Sequence, residues 1–203
     1  MVKMSELVNQ LKIVKYPHPA LRYKSKPVKR VDRELGDIVR RMFDLMYEAN
    51  GIGLAANQVN LPYRLFVINL TADPNEKKEE LVFLNPVILR RKGFEQGEEG
   101  CLSLPDLRGT VRRSKEIDIL AYNLQGEEIC WRVTGLLARA FQHELDHLDG
   151  ILFIDHLEPS ELLDLRGYVE KWEDEYVSAV SQGAEEPEDK VLSRLRELEA
   201  LRT

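Results

Sequence analysis

The chain has 203 residues, 43% apolar and 32% charged, which suits one globular domain with a tail and excludes disorder throughout. Its net charge of −6 is uneven: residues 158–203 hold 13 acidic against 6 basic side chains, while residues 1–157 hold 22 against 23. A near-neutral body with an acidic end lacks the basic face of a nucleic-acid binder, so no direct nucleic-acid binding is expected. Residues 1–14 lack the apolar run of a signal peptide, and no stretch approaches the roughly 20 apolar residues of a membrane span. A cytoplasmic protein without membrane contact is the expectation. Two cysteines, Cys101 and Cys130, are too few for a disulfide framework.

In chain order, residues 12–14 read as a short strand or extended entry, and prolines 17, 19 and 27 keep the next stretch irregular. Asp32 is placed to cap a helix in which Leu35, Ile38, Val39, Met42, Leu45 and Met46 recur at helical spacing, ending near Asn50-Gly51. Residues 64–70 and 81–89 read as buried strands around a charged loop at 72–80. Residues 117–122 and 128–134 flank NLQG, a hairpin signal, and 136–148 form the next helix. Strands followed by a central helix predict an α+β fold, with largely antiparallel sheets around that helix. Beyond residue 157, Leu162, Leu165, Val169, Trp172, Tyr176 and Val180 make one apolar stripe and Leu192, Leu195, Leu198 and Leu201 a second. A body at 1–157 and an acidic amphipathic helical tail at 158–203 are therefore expected. The tail is predicted to pack on its own body or on a second copy of the chain in a homodimer, burying Leu162, Leu165, Val169 and Trp172 first. The bland alternative is a mobile acidic end beyond Gln182.

The segment QHELDHLDG at 142–150 carries the sharpest chemical signal. Residues four apart share a helix face, so His143 and His147 can reach one metal ion while Glu144 points aside, as a base acting on water would. A catalytic metal needs a third protein ligand. A metzincin would supply a histidine six residues after His147, but position 153 is Phe; a downstream glutamate at 158, 161, 170 or 173 stays formally open. Upstream, EGCLSLP at 99–105 offers Cys101, whose thiolate would complete a Cys/His/His set; its bland alternative is a small buried hydrophobe.

With GIGLAANQV at 51–59, EGCLSLP at 99–105, QHELDHLDG at 142–150 and IVKYPHPALR at 13–22, the sequence closely resembles the peptide deformylases over residues 11–155. The resemblance implies a metal-dependent hydrolase that removes the formyl group from the amino-terminal formylmethionine of nascent proteins, releasing formate. It implies that Cys101, His143 and His147 hold one divalent ion, ferrous iron in the cell, with Zn2+ as the other candidate. It implies Glu144 as the acid and base, and the Gln58 amide and Leu102 backbone N–H as donors to the developing oxyanion. Extended substrate would pair near Ile52, Gly53 and Gly100, with a methionine pocket walled by Ile52, Leu136, Ala140 and His143 and with Glu99 close by. Glu99 and Arg113 could form an ion pair behind the cysteine loop or on the surface, and Arg139 and Arg108 either line the outer mouth or are solvated. Asn57 and His18 depart from the family's more usual proline and aspartate. An HExxH metalloprotease and a non-catalytic metal-clipped binding protein are the rival readings. Any transient contact with ribosomes is expected elsewhere than through the acidic tail, because an acidic segment repels nucleic-acid phosphates.

Overall fold

In a computed structural model, which describes residues 4–203, the expected helices and strands form in the expected order. Helix α1 (Met4–Gln10) precedes an extended entry, and α2 (Arg33–Glu48) begins where the Asp32 carboxylate accepts a bond from the Leu35 N–H. Seven strands follow: β1 (Gly53–Ala55), β2 (Leu65–Ile68), β3 (Leu81–Lys92), β4 (Glu95–Cys101), β5 (Leu104–Arg113), β6 (Glu116–Tyr122) and β7 (Glu128–Thr134). Helices α3 (Gly135–Leu148), α4 (Pro159–Ser181) and α5 (Glu188–Arg202) complete the chain.

The strands make an antiparallel five-stranded sheet in the order β1-β2-β3-β6-β7, beside a separate β4-β5 hairpin. The NLQG turn sets the register of β6 on β7, with Tyr122 opposite Glu128. Strand alternation turns Phe66, Phe83, Ile117 and Ile119 inward, where they meet Ala138, Phe141, Leu145 and Leu148 of α3. Phe66, Phe83 and Phe141 lie with ring centroids 5.0–5.2 Å apart, so α3 is clamped on the sheet by aromatic edges. Helix α2 covers a second cluster with Leu35, Ile38, Met42 and Met46 fully buried. The metal-motif helix is thus packed on the inner face of the main sheet.

One expectation changes, and three strands form without a sequence signal. Strands β1, β4 and β5 carry no hydrophobic alternation: EQGEEGC is charged and glycine-rich, so its pairing is visible only in the backbone ladder. The first tail stripe is not the buried one. Leu162 is exposed, Val169 is half-buried, and Leu165 and Trp172 are half-buried against the cluster that contains Val14 and Leu104. Val191 and Leu195 of α5 are buried instead, packed against Ala20. The reason is geometric: α4 touches the body along one edge, through Leu165, Trp172, Glu161 and Glu173, whereas α5 folds back and buries two residues of its apolar face. The segment beyond Gln182 is consequently anchored rather than mobile. The buried guanidinium of Arg202 pairs with Asp32 at 2.7 Å and Glu34 at 2.9 Å, and the hydroxyls of Tyr63 and Tyr23 bond to the Leu198 carbonyl and the Glu199 carboxylate.

Candidate metal centre

Cys101 ends β4, and His143 and His147 stand one turn apart on α3. The ligand atoms of these three residues lie within 4.8 Å of one another, with Cys101 Sγ 3.2 Å from His147 Nε2. One thiolate and two imidazoles at that separation suit a single tetrahedral divalent ion with one position open, given metal–ligand bonds of ~2.0–2.3 Å. Both histidines are buried, so the set is enclosed by core rather than gathered on the surface.

His143 is aimed from behind, whereas His147 Nδ1 is buried without a partner. His143 Nδ1 is 3.0 Å from Glu99 Oε2, leaving its other ring nitrogen toward Cys101. Arg113 grips Glu99 through two bonds of 2.9 and 3.0 Å, and Arg139 adds a third of 2.8 Å. Burial alone would raise the Glu99 carboxyl pKa, but bonds from His143 and Arg113 outweigh it and hold the group well below the usual carboxylate range. The Glu99–Arg113 pair is therefore buried, not a surface pair. Arg113 also reaches Asp146, which bonds His156 at 2.7 Å. On His147, burial and the neighbouring His143 push the pKa well down, favouring the neutral ring that binds metal.

Gln58 sits in the 3-10 turn after β1, where its Oε1 accepts from the Ala55 N–H at 2.8 Å. That bond orients the amide: Nε2 lies 3.4 Å from Cys101 Sγ and 3.3 Å from Ser103 Oγ. Its oxygen answers local backbone, while its nitrogen is presented to the centre. Glu144 is buried with Oε2 unpaired, and burial pushes its carboxyl up to about 7. Such a group can both accept and return a proton near neutrality.

Gly51 and Gly53, before and at the start of β1, make room for site residues. A β-carbon on Gly51 would stand 2.6 Å from Leu102 Cδ1, and one on Gly53 would stand 2.4 Å from Glu144 Oε1. The Leu102 carbonyl is held by Lys15 Nζ at 2.6 Å, fixing the loop that follows Cys101. Among the expected substrate walls, Ala140 is buried, Ile52 is half-buried, Gly100 lies in β4, and Leu136 is exposed at the start of α3. Arg108 is exposed beside Glu98, whereas Arg139 is largely buried and is not a solvated side chain.

Both departures find partners. Asn57 donates to the His147 carbonyl, tying the 3-10 turn to the end of α3. His18 caps the 3-10 turn Pro19–Arg22, its Nδ1 accepting from the Ala20 N–H at 3.2 Å. The roles of Asn57 and Arg139 had no signal in residue type alone. The position of Arg139, one helical turn before His143, was the available clue.

The sequence model of the polypeptide deformylase family matches residues 10–162. The chain belongs to that family. A peptide deformylase of Rhodopirellula baltica is 45% identical over 193 residues, covering 95% of this chain and 96% of the relative, so the likeness runs through the tail. One of Acidobacterium capsulatum is 50% identical over 142 residues, covering 70% and 83%. A Plasmodium falciparum peptide deformylase structure matches with a TM-score of 0.80 at 39% identity, covering 82% of this chain and 98% of that one. A plant peptide deformylase matches with a TM-score of 0.81 at 40% identity, covering 85% and 94%.

The activity is that of the deformylase family, hydrolytic removal of a formyl group from the amino terminus of nascent proteins, and it depends on a metal. Neither the metalloprotease nor the metal-clip reading is favoured beside that membership. Among the described residues no helix is long and apolar enough to cross a membrane.

Proposed function

We propose that deformylation here is carried out by Cys101, His143 and His147 around one divalent ion, by Glu144 as proton carrier, and by Gln58 and Leu102 as oxyanion donors. The observation that carries this reading is convergence. Three ligand atoms, an oriented amide nitrogen and an unpaired buried carboxylate come together from β4, α3 and the turn after β1. The ion, when bound, acts as a Lewis acid that lowers the pKa of water from 15.7 toward about 7. Ferrous iron is the proposed cellular ion; Zn2+ suits the same sulfur and nitrogen donors.

Glu144 takes a proton from water as the oxygen attacks the formyl carbon. The Gln58 amide and the Leu102 N–H bond to the oxygen on which charge develops. Glu144 then returns the proton to the leaving nitrogen as the C–N bond breaks, giving formate and a free amino terminus. Glu144's elevated pKa supports both transfers. Extended substrate pairs beside Ile52, Gly53 and Gly100, and Ala140 and Leu136 form the methionine pocket with Glu99 behind it.

Residues 1–157 serve as the catalytic unit and 158–203 as its buttress. The setting is the cytoplasm and the partners are formylmethionyl nascent chains; any ribosome contact avoids the acidic tail, and a homodimer is the alternative use of its exposed stripe. Formate release from formyl-Met-Ala-Ser by anaerobically purified protein, with bound metal counted, tests the reading. Casein cleavage without formate release would instead select the protease, and metal held by four protein ligands would select the clip.

A further inference from the structure

Arg139 makes four hydrogen bonds and one looser ion pair to four residues of the β4-β5 hairpin. Its Nη1 donates to the Val111 carbonyl at 3.0 Å, the Gly97 carbonyl at 3.4 Å and Glu99 Oε1 at 2.8 Å; Nη2 donates to the Glu95 carbonyl at 3.3 Å and lies 3.7 Å from the Glu95 carboxylate. The guanidinium is seated over Gly97, where a β-carbon would stand 2.8 Å from its central carbon. Side-chain exposure is only 12%. A surface arginine in a salt bridge has neither the seat nor the backbone partners.

The placement matters because the centre is split between two bodies. Cys101 belongs to the hairpin, while both histidines belong to α3, and the hairpin is a separate two-stranded sheet with no ladder to the main one. Arg139 lies one turn before His143, so both share a face of α3, and both bond the same Glu99 carboxylate, one at each oxygen. The planar fork of arginine can reach several fixed carbonyls together; lysine offers one point charge.

We propose that Arg139 is a positioning residue that sets the distance between the cysteine and histidine halves of the metal centre by clamping the β4 and β5 backbone to α3. Its bonds run to Glu95, Gly97, Glu99 and Val111, and to none of the three ligand residues. The proposal rests on the assignment of Cys101, His143 and His147 as ligands.

The test uses Arg139→Gln, Arg139→Lys and Gly97→Ala, with Arg132→Gln as an exposed control of equal charge change. Gly97→Ala displaces the guanidinium without altering α3. Cobalt(II) is the probe: each holoprotein is loaded with it, thermal midpoints are recorded, and two readings are taken well below them. The first is the rate of metal loss to a chelator, expected to rise at least about tenfold in Arg139→Gln and Gly97→Ala, less in Arg139→Lys, and not in Arg132→Gln. The second is the thiolate-to-cobalt charge-transfer band, expected to shift in the first two variants alone. On formyl-Met-Ala-Ser, kcat should fall more than KM rises. Folded Arg139→Gln and Gly97→Ala proteins with parental metal-loss rates and spectra would overturn the inference. A parent that shows no thiolate band would instead remove the ligand assignment beneath it.

Discussion

Glu144 rests against the bare α-carbon of Gly53, so a methyl group there would occupy the place of its carboxylate oxygen, 2.4 Å away. Gly53→Ala should therefore displace the proton carrier while leaving the ligands alone. kcat is expected to fall about 10²-fold or more with metal content unchanged, as for Glu144→Gln. Turnover within a few-fold of the parent would separate Glu144 from the chemistry.

Gln58→Leu removes the amide nitrogen that the Ala55 N–H bond aims at the centre. Loss of one preorganised oxyanion donor should lower kcat roughly 10²- to 10³-fold. Metal analysis discriminates: a stoichiometric loss of metal would make Gln58 a support for Cys101 instead.

The two cysteines should behave unequally. Cys101→Ala removes a ligand and should lose metal in dialysis that leaves the parent loaded. Cys130, exposed in β7 opposite Leu120, should be dispensable. Equal losses would break the assignment.

His18 predicts a pH dependence of stability. Burial first, then the cations Arg194 and Lys12, hold its pKa at about 4 against an ordinary 6.5, with Glu186 opposing. Between those values the unfolded chain binds more protons, so this contribution is complete above pH 6.5 and is lost as pH falls toward 4. The amount at pH 4 is on the order of 2–3 kcal/mol. His18→Asn keeps a capping acceptor without the titration. Its thermal midpoint should decline less than the parent's between pH 7 and 4.5, and parallel declines would refute the linkage.

Deleting residues 183–203 removes Val191, Leu195 and the Arg202 clasp on Asp32 and Glu34. The midpoint should drop by about 5–10 °C. Formate release at 25 °C should stay near the parental rate, because every proposed site residue lies between 52 and 147. Lost activity in a truncated protein still folded at that temperature would place the tail in catalysis.

What the sequence disclosed followed periodicity. Helix α2, strands β2, β3, β6 and β7, and the motif helix all carry apolar repeats or turn signals, and each forms with small shifts in its ends. The ligand trio was legible because its chemistry demands particular residue types. The β4-β5 hairpin was not, since EQGEEGC and LPDLRGTVRR are held by backbone pairing and by Arg139, an interaction made to carbonyls that any residue supplies. The tail misled for a related reason. Amphipathic spacing marks a face able to be buried, yet which helix reaches the body depends on where the turn at 182–187 directs it.

The tail contacts also bear on how quickly the molecule assembles. Arg202 meets Asp32 across 170 positions, Glu199 meets Tyr23 across 176, and Leu198 meets Tyr63 across 135. Contacts so remote in sequence reward the chain only after a very large loop has closed, so they belong to the late side of a folding barrier. Interactions absent from the transition state slow unfolding and leave refolding nearly untouched. The acidic extension is thus expected to lengthen the lifetime of the folded enzyme without hastening its arrival.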